Sequence, residues 1–193
     1  MALKESHRKK TGGLLEQRKL LDKAGILGAL RSIAQKILER HPDRKNLVLI
    51  GIRTGGVHLA KRLQELIKEQ VGLDIPCGAM DITLYRDDIF TSLPRPEVGP
   101  TELPCSLQGM VVILVDDVLF TGRTIRAALE ELVEFGRPKR VELAVLIDRG
   151  HREIPVQPDY VGLLIETTRE QSVRVELAEL GEADQVILYE KKL

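Results

Sequence analysis

Aromatic side chains are scarce in this chain. Its 193 residues include three Phe, three Tyr and no Trp, too few for the stacking platforms on which single-stranded nucleic acids are held. Cysteine is nearly absent. Cys77 and Cys105 stand far apart and outside any C-x-x-C spacing, which argues against a metal or redox motif and for two reduced structural thiols. An excess of one charge is missing too. Basic and acidic residues number 29 each, so no bulk electrostatic drive toward nucleic acid exists and only a local basic face remains available. No apolar run approaches the ~20 residues of a membrane span. The opening MALKESHRKK is basic without an apolar segment behind it, unlike a secretory signal. Repeats and low-complexity tracts are lacking as well. Together these features point to a soluble cytoplasmic protein of one ordinary domain.

What is present is periodicity. Residues 1–13 are polar and basic and end in Gly12-Gly13, which reads as a flexible tail ahead of a single domain over 14–193. Asp22 reads as a helix cap. After it Ile26, Leu27, Leu30, Ile33, Ala34, Ile37 and Leu38 keep helical spacing up to Pro42. LVLIGI at 47–52 is a short apolar strand, followed by Arg53-Thr54-Gly55-Gly56 and a second helix carrying Val57, Leu59, Ala60, Leu63, Leu66 and Ile67. An extended stretch over 75–85 leads into Arg86-Asp87-Asp88. Residues 89–108 hold Pro94, Pro96, Pro100 and Pro104 with no helical period. So long a loop inside one domain is often a functional lid.

Met110–Val115 is apolar on both faces, as a central parallel strand should be. Thr124–Phe135 is predicted as a helix with the stripe Ile125, Ala128, Leu129, Leu132 and Val133, stopped by Gly136 and Pro138. Val141–Ile147 is a fourth strand. The remainder, from about 148 to 193, reads as a small β-rich hood with strands near 160–165, 173–177 and 186–189. Strands alternating with helices imply right-handed crossovers and an α/β fold, a parallel sheet with helices on both faces. Ligands of such sheets sit at the carboxyl ends of the strands, where both unusual loops fall.

The stretch VVILVDDVLFTGRT, residues 111–124, carries the chemistry. Thr121-Gly122-Arg123-Thr124 opens a helix, whose first amides lack internal partners and face the positive end of the helix dipole, so they attract a phosphate. Gly122 lets the backbone close round the anion. It is not a Walker A loop. Asp116 and Asp117 are acceptors only, and the vicinal diol of a ribose offers two donors. Diol and 5′-phosphate lie at opposite ends of one sugar, which suits carboxylates and turn separated by a few residues. A turn aspartate and a helix-capping threonine would leave the same marks, so by itself the stretch keeps both readings open.

The stretch resembles the phosphoribosyl pyrophosphate (PRPP) signature of type I phosphoribosyltransferases. DITLYRDD at 81–88, AVLIDRGHREIP at 144–155 and GIRTGGVHLAKRL at 51–63 are similar to segments of one branch, the PyrR family, over about Leu20 to Tyr189. The resemblance implies the type I phosphoribosyltransferase fold and two activities: regulation of the pyrimidine operon by uridine-nucleotide-dependent binding of its messenger leader, and transfer of phosphoribosyl from PRPP to uracil, giving UMP and pyrophosphate. It implies that Val118, Leu119, Phe120, Thr121, Gly122, Arg123 and Thr124, with Asp116 and Asp117, hold PRPP or UMP. Arg53, Thr54, Gly55 and Gly56 would face pyrophosphate, and Arg86, on a mobile flap, would join the aspartates in catalysis. Arg149 and Val173 would lie beside the base, whereas His151 reads as a surface histidine. Mg²⁺ would arrive with PRPP, with no dedicated side-chain cage. A homodimer or homotetramer and UMP or UTP as effectors are implied too.

For a leader stem-loop the matching positions are Arg31, Gln35, Arg152 and Gln157, of which only Arg152 keeps the family's residue type. That leaves open a homologue that has lost attenuation. A basic face from Arg31, Arg137, Lys139, Arg140 and Arg152 is conceivable. Many relatives carry arginine where this chain has Gly55, and tyrosine where it has Phe120. The PRPP loop alone would also fit a purine phosphoribosyltransferase.

Overall fold

Every residue of Leu47–Ile52 is buried, as expected of a strand covered on both faces. The computed structural model describes residues 14–82 and 101–191. This strand, β2, pairs in parallel with β3 (Cys77–Met80) on one side and β4 (Val111–Leu119) on the other. β5 (Arg140–Asp148) and β6 (Tyr160–Leu164) extend the sheet to the order β3-β2-β4-β5-β6, all parallel. Helices α1 (Lys23–Arg40) and α2 (Gly55–Val71) cover one face and α3 (Arg123–Leu132) the other. The pleat sorts β4 between two cores. Ile113 and Val115 join the α1/α2 cluster, and Val112 and Leu114 the α3 cluster.

The N-terminus of α1 follows the sequence reading: the Asp22 carboxylate accepts the Gly25 N–H at 2.8 Å. Three other expectations need correction. The strand through residues 110–115 does not stop at the aspartates. It runs to Leu119, with Asp116 paired to Val145 and Val118 to Ile147. Across the aspartates the alternation slips, since Val118 belongs with the α1/α2 cluster and Leu119 with the α3 cluster. The pleat can slip there because neither carboxylate has to enter an apolar core.

The helix expected over 124–135 ends at Leu132 and tightens into one 3₁₀ turn, Val133–Phe135. Its buried arc is Ile125, Ala127, Ala128, Glu131 and Leu132, while Leu129 is 36% and Val133 66% exposed. Glu131 turns inward because the Thr101 hydroxyl donates to its carboxylate at 2.5 Å.

The C-terminal strands are divided between two sheets. β6 completes the large sheet. The smaller antiparallel sheet has the order β1-β8-β7, from β1 (Leu14–Leu21), β7 (Gln171–Glu176) and β8 (Gln185–Lys191). The expected strands over 173–177 and 186–189 are thus found, and a strand from the other end of the chain joins them. β1 has register irregularities at Glu16/Arg18 and Lys19/Leu21, so LLEQRKLL shows no clean period of two. The small sheet packs Val173, Val175, Val186 and Leu188 into the α1/α2 core. The Arg62 guanidinium clamps it to α2 by donating to Glu179 at 2.7 and 2.5 Å and to Asp184 at 2.7 Å.

Candidate active site

The loops after β2 and β4 meet at the carboxyl edge of the sheet, and glycine lets them. A Cβ on Gly56 would lie 2.3 Å from the Val115 carbonyl oxygen, and one on Gly55 2.6 Å from Asp117 Oδ2. Neither glycine has a positive φ, so close approach, not a left-handed turn, requires them. At Gly55, where relatives often place arginine, any side chain would press on Asp117. Arg53 and Thr54 share a cis peptide bond. The Arg53 N–H donates to the Met80 carbonyl at 2.9 Å, and its guanidinium lies 3.9 Å from Glu102. Arg53 and Thr54 line a cleft of about 530 Å³ with His58, Lys61, Cys77 and Glu102. Burial pushes the Cys77 thiol up to about 11, against a smaller opposing pull from Lys61, so the thiol is inert, as the sequence suggested.

The two aspartates fold back on their own backbone. Asp116 Oδ1 accepts the Asp117 N–H at 3.0 Å, and Asp117 Oδ1 accepts the Val118 N–H at 2.8 Å. Asp116 is buried and Asp117 half-buried. Next, the Thr121 carbonyl takes the N–H groups of Glu153 and Ile154 at 2.9 and 3.1 Å. Gly122 sits at φ 91° as the N-cap of α3 and provides no side-chain cap. Thr54 gives none to α2 either. Both loops therefore end in helix starts whose N-cap residue supplies no side-chain hydrogen bond, unlike Asp22 at α1, and at α3 the Thr121 hydroxyl accepts the Arg123 N–H only at 3.5 Å. Arg123 is tied to Glu153 at 3.0 Å, and Glu153 in turn to Arg169 at 3.0 Å.

Arg149 is the unusual charge. It is 5% exposed, and its backbone N–H donates to Leu119 at 3.1 Å. Its guanidinium donates to the Thr167 hydroxyl at 3.2 Å and the Thr168 carbonyl at 2.8 Å, and lies 3.9 Å from the centre of the Phe120 ring. No carboxylate pairs with it among the described residues, and burial lowers its pKa. Phe120 also meets His151 edge-on at 5.8 Å, and a His151 ring nitrogen lies 2.6 Å from the Thr167 carbonyl. His151 thus braces the loop. Thr167 and Thr168, which hold Arg149, were invisible in the sequence because their contact spans about 18 positions.

The structure brings Arg53–Gly56, Asp116–Thr124 and Arg149 to one edge. Val173 packs in the core at 9% exposure. Arg86 lies outside the described residues. Of the four RNA positions, Arg31, Gln35 and Gln157 are exposed, with Gln35 donating to Glu39 at 2.9 Å. Arg152 points inward. Its guanidinium donates to Asp148 at 2.6 Å and to the carbonyls of Phe120, Val156 and Gly150 at 3.0, 3.1 and 3.2 Å, so its work is to hold the loop beneath Phe120.

A phosphoribosyl transferase domain model matches residues 16–180. Bifunctional protein PyrR of Pelotomaculum thermopropionicum is 50% identical over 175 residues, covering 91% of this chain and 97% of that protein. The Enterococcus faecalis protein of that name is 43% identical over 174 residues, covering 90% and 97%. Among solved structures, a hypoxanthine-guanine phosphoribosyltransferase from Bacillus anthracis superposes with a TM-score of 0.68 at 16% identity, covering 91% of this chain and 99% of that one. A Trypanosoma cruzi hypoxanthine phosphoribosyl transferase gives 0.70 at 17% identity, covering 90% and 91%. At such identity these structures speak for the fold alone. With its paired loops, parallel sheet and half-identical relatives, the chain belongs to the phosphoribosyl transferase family and, within it, to the bifunctional PyrR proteins.

Proposed function

We propose that this protein transfers the phosphoribosyl group of PRPP to uracil, releasing UMP and pyrophosphate, and that its uridine-nucleotide-bound form recognises the leader of pyrimidine messenger RNA in the cytoplasm. One observation carries the enzymatic reading. The Asp116–Asp117 pair packs against the start of α2 and leads into the start of α3, neither of which has a side-chain cap, and Arg149, buried and paired with no carboxylate among the described residues, lies over the Phe120 ring that follows in the same loop.

In this reading the amides at the start of α3 and the hydroxyls of Thr121 and Thr124 take the 5′-phosphate. Asp116 and Asp117 accept the ribose hydroxyls and fix the sugar. Arg53 and the backbone of Thr54–Gly56 stabilise charge gathering on the departing pyrophosphate, a role the family resemblance extends to Arg86. Arg149 donates toward a base carbonyl, and the Phe120 ring, 3.9 Å away, supports its guanidinium. No group of three acidic, His or Cys side chains gathers among the described residues. A hard divalent ion bound chiefly by substrate oxygens fits, with the Asp116 and Asp117 carboxylates as the described residues that would supply protein donors. When bound, Mg²⁺ would neutralise pyrophosphate charge.

Purified protein given PRPP, Mg²⁺ and uracil is expected to form UMP. A folded protein that forms none at any pH overturns the enzymatic reading, and IMP or GMP formed from purine bases instead redirects it to the purine enzymes. Regulation is tested by gel shift on the leader stem-loop with and without UMP. Arg31, Gln35 and Gln157 are the candidate contacts, and affinity no better than for random RNA sinks that half. The expected homodimer or homotetramer is read by sedimentation.

A further inference from the structure

The opposite end of the sheet holds a second concave site. At the amino ends of β4 and β5, Arg40, His41, Asp43, Lys45, Lys139 and Arg140 line a cleft of about 390 Å³, within the ~300–1,000 Å³ of small-molecule sites. Val111, which lines the cleft, precedes Asp116 and Asp117 on β4 by five and six residues, so roughly 17–20 Å of strand separates this cleft from the aspartates.

Charge accumulates here in a chain that is neutral overall. Behind the cleft lies Glu142, whose side chain is fully buried. Arg140 Nε is 2.9 Å from it and Arg40 Nε 3.3 Å, while the Tyr160 hydroxyl donates to it at 2.5 Å. Arg40 also donates to Asp159 at 2.8 Å. One buried carboxylate thus aims two arginines at the rim, where their side chains stay 37% and 55% exposed. Lys45 and Lys139 face the same space and form no ion pair among the described residues. The lining offers a single carboxylate, Asp43, in return.

The frame is rigid. Asn46 accepts the Val111 N–H at 2.7 Å, Met110 accepts the Lys139 N–H at 2.8 Å, and Gly109 donates to Arg137 at 3.1 Å. Arg44 and Asn46 hold left-handed φ values of 54° and 56°. Such backbone persists in a non-glycine residue only where the surroundings impose it, and it clusters at ligand clamps.

We propose that this cleft is a second anion site, taking a chain of linked phosphates such as that of a nucleoside triphosphate. Two braced arginines and two lysines approaching from separate segments, the end of α1 with its loop and the start of β5, exceed what one phosphate needs. A concave site suits a compact phosphate chain better than a duplex. The proposal stands apart from the enzymatic reading, since it shares no residue with the candidate active site.

Inorganic triphosphate and UTP, titrated calorimetrically into the wild-type protein at low salt, are the probes. Lys45→Glu with Lys139→Glu changes two exposed side chains and leaves the Glu142 network intact. It is expected to remove one class of binding, at least a tenfold loss for both probes by the same factor, with melting temperature and phosphoribosyl transfer unchanged. Because the candidate active site also attracts phosphate, the wild-type isotherm should show two classes and the variant one. Superimposable isotherms overturn the proposal. So does a loss confined to UTP, which would place recognition on the nucleoside. An unrelated single-stranded RNA is the third arm: if its binding falls while triphosphate binding does not, the cleft reads a polynucleotide and the proposal fails. Should the Glu pair not fold, Lys45→Ala with Lys139→Ala gives the same comparison.

Discussion

At the carboxyl ends of β2 and β4 the chain approaches itself through glycine, with Gly56 against the Val115 carbonyl, Gly55 against Asp117, and helix starts that carry no side-chain cap. At the amino ends of β4 and β5 the same sheet is lined by long cations, of which Arg40 and Arg140 are braced on a buried Glu142. The first pole presents backbone amides, which have no rotamers to lose and permit close, directional contact. The second presents side chains, which reach farther and lose conformational freedom on binding. The first pole is therefore expected to be intolerant of added atoms and the second of removed charge.

The sharpest way to break that contrast is Gly56→Ala. Its Cβ would meet main-chain atoms that cannot swing aside, so a loss of about 1–3 kcal/mol by urea denaturation is expected, with phosphoribosyl transfer lost. Gly55→Ala meets a movable carboxylate instead. It should cost less stability than Gly56→Ala and still impair turnover by displacing Asp117. Equal stability losses would show that approach to the backbone is not what distinguishes the two glycines.

At the other pole, Glu142→Gln should cost about 1.5–3 kcal/mol, the scale of hydrogen bonds to a charged group. Burial alone would raise the Glu142 pKa, but the Tyr160 hydroxyl, His41 and Arg40 outweigh it and hold the carboxylate below its ordinary range. Its stabilisation is complete above the unfolded pKa and disappears as pH falls through the lowered folded value. Wild type and Glu142→Gln should therefore converge in acid when their melting temperatures are followed with pH.

Arg149→Met sharpens the comparison from within the first pole. Among the described residues no acidic partner is left stranded, so stability should hold or rise, while KM for the base rises about tenfold, or ~1.4 kcal/mol. A destabilised variant with unchanged KM would make Arg149 a structural residue.

Smallest is Glu131→Gln. Burial and the nearby Asp81 raise the Glu131 pKa, partly countered by the Thr101 hydroxyl. A carboxyl with a raised folded pKa favours the fold fully below its unfolded pKa, and that contribution is lost as pH rises through the folded value. The variant should therefore gain on wild type in thermal melts as pH increases, the reverse of the Glu142 pattern.

Much of the first pole was legible in the sequence. Two glycine- and threonine-rich turns after apolar strands suffice to mark it, because strand periodicity and helix starts are local properties. The role of the glycines was not legible, since a close approach between residues about 60 positions apart leaves no local trace. Arg152 shows what a motif match leaves out. It keeps the family's residue type, yet its guanidinium is used within the chain. Leu129 and Val133 fit the helical stripe and still face outward, because the helix tightens and Glu131 takes an inward place beside Thr101.

By itself, then, the sequence determined the alternation of strands and helices, the cap at Asp22, the paired loops at one sheet edge and the family to which they belong. Each follows from short-range pattern and hydrogen-bonding capacity. Tertiary structure alone decided that an irregular N-terminal strand completes the small sheet. It also decided that Arg149 is buried with no carboxylate partner among the described residues, and that Arg40, Lys45, Lys139 and Arg140 share one cleft. These depend on which distant segments meet, and only packing of the two cores against the sheet fixes that.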